Sequence, residues 1–143
     1  MTHFDLNLLF NFNNLFSSHY DAVFTSAAES CQISRAEADI LVFLASHPTL
    51  DTAKEICQNR GFSKAYVSKA LDALVKKGFV SLVVDTNDRR CQHIYLSHHS
   101  DEVVATLLAA QESVVNNFFH GFSDKQLQDF TDFLKLAANG KRE

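Results

Sequence analysis

The feature that most restricts how this chain can fold is a run of closely spaced start and stop signals between residues 34 and 97. "SRAE" at 34–37 and "TAKE" at 52–55 both have capping-box form, in which a hydroxyl serves one orphan amide of the first helical turn and a carboxylate serves another. Each therefore opens a helix. The first passes through Ile40, Leu41, Phe43 and Leu44 and is closed by Pro48, the only proline. The second is short, contains Ile56, and meets Gly61, which can end it by taking a left-handed conformation. Ser63 opens a third helix with Val67, Ala70, Leu71 and Leu74 on one face, and Gly78 stops it. Two strands follow at 79–84 and 92–96, the second alternating Ile94 and Leu96 on one face with His93 and Tyr95 on the other. Between them "DTNDRR" supplies turn formers.

Long amphipathic segments flank this compact unit. Leu8, Leu9, Phe12, Leu15, Phe16, Tyr20, Val23, Phe24 and Ala27 recur at helical spacing and predict one helix over about residues 4–28. From about Asp101, Val104, Leu107, Leu108, Val114, Val115, Phe118 and Phe119 predict another. "SDKQ" at 123–126 is a further capping box, opening a last helix with Leu127, Phe130, Phe133, Leu134 and Ala137 before Gly140. No repeat or linker interrupts the order, and 143 residues suffice for a single domain with one sizeable core. The fold class that results is mainly α with a small β-hairpin wing, a winged helix-turn-helix core carrying extra helices at both ends.

The formal charge of -4 hides an uneven distribution. Residues 1–53 hold one base, Arg35, against six acids, whereas residues 60–91 hold seven bases (Arg60, Lys64, Lys69, Lys76, Lys77, Arg89, Arg90) against three acids. Only the middle is basic. A local positive patch is the electrostatic footprint of a nucleic-acid contact, although a solvated basic face without a partner has the same composition. The apolar stretches are short and interrupted, so neither a membrane-crossing helix nor a secretion signal is expected, and the location expected is the cytoplasm. Cys31, Cys57 and Cys91 are odd in number and form no CxxC, which suits a reducing compartment. No nucleophile–base pair, phosphate loop or HExxH motif is present, so no enzyme is expected.

With its apolar face inward, the helix after Ser63 turns Ala65, Lys69, Asp72 and Lys76 outward, with Tyr66 and Ser68 flanking. Small, hydroxylated and cationic side chains suit a major groove. Lys69 can reach a phosphate or a guanine edge, Ser68 and Tyr66 can donate to phosphates or bases, and the Ala65 methyl can meet a thymine methyl. An ordinary solvated helix face also carries Lys and Asp, so this helix alone does not decide between the two.

Residues 33–97 resemble the MarR (multiple-antibiotic-resistance regulator) family of winged-helix repressors. The resemblance is carried by "FSKAYVSKALDALVKKGFV" followed by "DTNDRRCQHIYLS". Its marks are Ser63, Val67, Ser68, Leu71, Leu74 and Gly78 in the helix, then Asp88, Arg90, Leu96 and Ser97 in and after the wing. The chain departs from the family in "SHHSDE", where a glycine is usual, and at Val75, where a glutamate is frequent. The resemblance implies that Arg90 enters a minor groove with Asp88 helping to hold it. It also implies a two-fold homodimer in which the helices over 1–30 and 101–140 intertwine. A narrow minor groove concentrates negative potential, which would reward an arginine held there; Arg89 is better placed for a backbone phosphate. The expected DNA-binding set is thus Ser63, Lys64, Ala65, Tyr66, Ser68, Lys69, Asp88, Arg89 and Arg90.

Sensor chemistry is less legible. His98 and His99 are the only adjacent pair among seven histidines, and neighbours on a helix point about 100° apart, so no metal site and no cofactor is expected. Cys91 beside Arg89 and Arg90 suggests a depressed thiol pKa and a redox switch. The family implies instead a small aromatic or lipophilic effector bound where the dimer helices meet the DNA-binding lobes. The leading function is a homodimeric regulator, a repressor of a pseudo-palindromic operator on double-stranded DNA. The alternative is a winged-helix module that contacts protein without reading DNA.

Overall fold

The computed structural model describes residues 3–140. Six α-helices and one hairpin follow in the order α1 (Leu6–Ser30), α2 (Arg35–Ser46), α3 (Ala53–Arg60), α4 (Lys64–Lys76), β1 (Val80–Val84), β2 (Gln92–Leu96), α5 (Asp101–Phe118) and α6 (Asp124–Asn139), with a 3-10 turn over His98–Ser100 leading into α5.

The caps explain the boundaries. Ser34 and Glu37 close a reciprocal capping box at the start of α2, and Ser123 and Gln126 do the same for α6. At α3 only half of the expected box forms: Thr52 Oγ1 accepts from the Glu55 amide at 3.3 Å, while the Glu55 carboxylate takes the Thr52 hydroxyl at 2.8 Å rather than the Thr52 amide. Asp5 caps α1 by accepting from the Asn7 amide, which places this helix two residues later than its apolar stripe predicts. Gly61 ends α3 at φ 68°, the left-handed conformation its position calls for. Gly78 has φ 73° at the turn into β1, and the strand starts at Val80 rather than at Phe79.

Phe24 and Ala28 of α1, Ile40, Leu41 and Leu44 of α2, Ile56 of α3, the whole inward face of α4, Val80, Ile94 and Leu107 form one buried core. The inward face of α4 is Val67, Ala70, Leu71 and Leu74, as its spacing predicts. The hairpin is antiparallel with Leu82 opposite Ile94 and Val83 opposite His93. It is fastened to the helices at two places. The Ile94 amide donates to the Asp51 carbonyl at 2.8 Å, so the segment before α3 runs beside β2 like a single rung of a third strand. At its base the Ser97 amide donates to Phe79 O at 3.0 Å and the Ser97 hydroxyl to Gly78 O at 2.6 Å. That pair of bonds gives the Leu96–Ser97 signature its physical role, closing the wing where the chain leaves it.

Candidate nucleic-acid interface

The outward face of α4 is open. Lys64, Ala65, Ser68, Lys69 and Asp72 are exposed, while Ser63 is committed as the N-cap, its hydroxyl accepting from the Tyr66 amide at 3.1 Å. Tyr66 departs from expectation. Its ring stacks near Phe62, and its hydroxyl turns inward to donate to Asp39 Oδ2 at 2.8 Å instead of facing a groove. Burial and the Asp39 carboxylate together push the phenol up to about 12.

Asp39 is itself buried and holds a second partner, Arg35 Nε, at 3.0 Å. The same guanidinium reaches back to Asp21 and Thr25 of α1 and lies over the rings of Tyr20 and Phe24. Burial disfavours the Arg35 cation, but Asp39 and Asp21 outweigh it and raise its pKa further. The Tyr20 hydroxyl accepts from Gln111 of α5 at 2.8 Å. A continuous polar seam thus connects α5, α1, α2 and α4 underneath the exposed face. Beside it opens a pocket of about 390 Å³ lined by Phe16, Tyr20, Asp21, Arg35, Arg60 and Gln111.

The wing tip is organised by two aspartates acting on the backbone. Asp85 Oδ2 accepts from the amides of Asn87 and Asp88 at 3.0 and 2.9 Å. Asp88 Oδ1 accepts from the Arg90 amide at 3.0 Å, so it fixes the main chain carrying the arginine rather than the guanidinium. Arg89 and Arg90 are exposed, and among the described residues neither enters an ion pair. Two cationic heads are therefore presented at the hairpin tip on an ordered turn.

Cys91 requires a correction. The thiol pKa is raised, not depressed: partial desolvation acts first, and Asp85, Asp88, Asp51 and Glu55 add repulsion that the neighbouring arginines, pointing outward, do not offset. Sequence adjacency to Arg89 and Arg90 is a poor guide here because both arginines are exposed, while Asp85 and Asp88 of the same turn act on the thiol.

One residue absent from the expected site stands close behind it. His93, half-buried on β2, bonds Asp51 Oδ1 through Nδ1 and Asp85 Oδ1 through Nε2, each at 2.8 Å. Among the described residues no group of three or more His, Cys, Asp or Glu is arranged to hold a metal ion. No described helix is long and apolar enough to cross a membrane.

A helix-turn-helix whose second helix lies open beside an arginine-tipped hairpin defines the winged-helix class. The sequence profile of the MarR family matches residues 32–90, within the winged-helix lobe. No curated protein matches the chain by sequence. Among solved structures, a MarR-family transcriptional regulator from Silicibacter pomeroyi is similar at 23% identity and TM-score 0.79, covering 92% of this chain and 90% of its own. A putative MarR-family regulator from Listeria monocytogenes, complexed with a 26mer DNA, superposes over 100% of this chain and 99% of its own at TM-score 0.80 and 12% identity. Bordetella bronchiseptica BpsR, described for regulation of its DNA binding by 6-hydroxynicotinic acid, gives TM-score 0.72 at 14% identity over 92% and 99%. These likenesses show a shared fold that extends through the terminal helices.

Proposed function

We propose that this chain is a cytoplasmic, homodimeric transcriptional regulator that binds a pseudo-palindromic operator as a repressor and is released by a small effector. The observation that carries the reading is the pairing of an exposed α4 face (Lys64, Ala65, Ser68, Lys69) with an ordered wing tip bearing two unpaired arginines. In this reading α4 enters the major groove, where Lys69 and Ser68 meet base edges or phosphates. Arg90 enters the flanking minor groove and Arg89 grips a phosphate. Ser63 and Tyr66 act from behind, one capping the helix and the other anchoring it on Asp39.

Exposed apolar side chains on α1 and α6, among them Leu8, Leu9, Phe10, Phe133 and Leu136, support a dimer, because a second copy removes that surface from water. The pocket beside the seam supports a planar anionic effector: Arg60, in no ion pair among the described residues, supplies charge next to an Arg35 already shared with Asp21 and Asp39, and Phe16 and Tyr20 supply aromatic faces. The ligand named for BpsR, an aromatic acid, is of that chemistry. With its thiol pKa raised, Cys91 is not part of the release mechanism proposed.

The test is selection of bound genomic DNA followed by titration of the recovered operator. Half-sites about 10 bp apart are expected, with a log-log salt slope near -0.9 for each phosphate neutralised. Arg90→Ala should weaken binding most where an A·T-rich minor groove faces the wing, without moving the thermal midpoint. Unaltered affinity in that variant, or no duplex recovered at all, would instead favour a lobe that contacts protein.

A further inference from the structure

The hairpin that carries Arg89 and Arg90 joins the core through Val80 and Ile94, but the rest of β1 is exposed. What fixes its outer part laterally is polar. The Asp51 carbonyl takes the Ile94 amide, and the Asp51 and Asp85 carboxylates take the two ring nitrogens of His93. Asp85 is the same residue whose other oxygen organises the tip through the Asn87 and Asp88 amides. A single imidazole therefore ties the segment entering α3 to the turn that presents the arginines.

The geometry has a protonation requirement. A neutral imidazole has one N–H and one lone pair, so it can donate to only one of two carboxylates and must turn its lone pair toward the other. Only the imidazolium donates at both ends. We propose that Asp51, His93 and Asp85 form an ionic clamp that positions the wing, closed while His93 is an imidazolium and loosened when it loses its proton. Asp51, Asp85 and His93 are positioning residues in this scheme; none of them is offered as a contact to DNA.

The surroundings favour the protonated, closed form relative to a free imidazole. The His93 pKa is raised above its ordinary value, by Asp51 first and then by Asp85, against a smaller opposing effect of desolvation. Asp85 is correspondingly lowered, by His93 first and then by the Asp88 and Asn87 amides. Asp88 and Glu55 are further carboxylates in this part of the molecule, and their charges act on the Cys91 thiol. Among the described residues no lysine or arginine is ion-paired with Asp51 or Asp85 to compete for them. Because the folded-state pKa is raised, the stabilisation of the wing is complete below the ordinary histidine value and is lost as pH rises through the raised one. The clamp opens on the alkaline side.

The test needs no DNA, so it stands or falls separately from the proposed operator binding. On the full chain, the His93 ring nitrogens and the amides of Asn87, Asp88 and Ile94 are followed by NMR from about pH 5 to about pH 9, a window that spans histidine ionisation. After correction for intrinsic exchange, protection of those three amides should fall about threefold to tenfold, the scale of one partly screened charge-assisted hydrogen bond, with the midpoint of the ring titration. Asp51→Asn removes the larger support and should move both midpoints to lower pH together. His93→Gln should give low protection with no step. Wing protection that ignores the ring titration, or a wing midpoint that stays in place while Asp51→Asn shifts the ring, overturns the clamp.

Discussion

The winged-helix lobe and the terminal helices use similar proportions of apolar side chains and spend them differently. In the lobe, α2 buries eight consecutive residues from Glu37 to Leu44, and even its charged members are matched, Glu37 with Lys77 at 2.7 Å and Asp39 with Arg35 and Tyr66. In α6 no residue is buried, although Phe133, Leu134 and Leu136 are large and apolar. The first half of α1 is similar: Leu6, Leu8, Leu9 and Phe10, with Phe4 just ahead of the helix, are exposed, while its second half delivers Phe24 and Ala28 to the core. The lobe's helices therefore find most of their packing within one chain, while Val83 and Val84 of the wing stay exposed. The termini carry a stripe that one chain does not cover, and an uncovered stripe this size is a liability unless something occupies it.

The sharpest way to break that contrast is to damage each region in turn. Leu41 is fully buried, so Leu41→Ala should lower the unfolding free energy by about 2–5 kcal/mol, the cost of lost transfer energy plus a cavity. That loss should be the same at any protein concentration. Leu136 is 74% exposed, and Leu136→Asp should cost a single chain no more than about 0.5 kcal/mol. It should nevertheless shift sedimentation toward monomer, lower the thermal midpoint and weaken that midpoint's dependence on concentration, since the lost subunit contact stabilised by mass action. A Leu136→Asp protein that sediments like the parent would place the dimer contact elsewhere.

The two regions were not equally legible from sequence. The lobe could be read almost residue by residue, because caps, the single proline and Gly61 and Gly78 act locally, and their effect does not depend on distant partners. The inward face of α4 followed from spacing for the same reason. What escaped were side chains whose partners are far away along the chain: Tyr66 with Asp39, 27 positions apart, and His93 with Asp51, 42 positions apart. A faint signal existed. Asp39 interrupts an otherwise apolar stretch of α2, and a charge in such a place has to be paired with something. Cys91 misled in the opposite way, since adjacency in sequence suggested cations where the fold supplies carboxylates.

The seam between the regions offers an intermediate effect. Tyr66→Phe leaves Asp39 Oδ2 without its donor in a buried place, which should cost about 1–3 kcal/mol. A pH titration sharpens the assignment. The Tyr66 phenol is raised from 10.0 to about 12, so the folded state favours its protonated form, and the stability it contributes is present below 10 and lost as pH rises toward 12. In Asp39→Asn the hydrogen-bonded carboxylate is gone, and the tyrosine should titrate closer to its ordinary value with a smaller alkaline loss of stability. If Tyr66 keeps its high pKa in that variant, burial alone sets it and the seam is weaker than the geometry indicates.

The smallest expected effect compares two lysine pairs, one from each region. Lys125 and Asp129 of α6 lie four residues apart at 2.9 Å, both largely in water, with side chains 85% and 63% exposed. Water and salt screen such a pair, so Lys125→Ala should change stability by only about 0.2–0.5 kcal/mol, and added salt should erase even that. Lys77 and Glu37 are closer, 2.7 Å, and their settings are unequal: the lysine is 39% exposed but the glutamate only 7%. Removing the cation there leaves a carboxylate behind that is nearly out of water and retains only a 3.3 Å bond from the Ser34 amide. Lys77→Ala should therefore cost on the order of 1–3 kcal/mol, with much weaker dependence on salt. Denaturant midpoints of both variants at low and high salt make the comparison directly. Equal, salt-sensitive losses would mean that the buried end of the lobe's pair is wetter than its packing suggests, and the division between a lobe closed within one chain and termini open to water would have to be redrawn at α2.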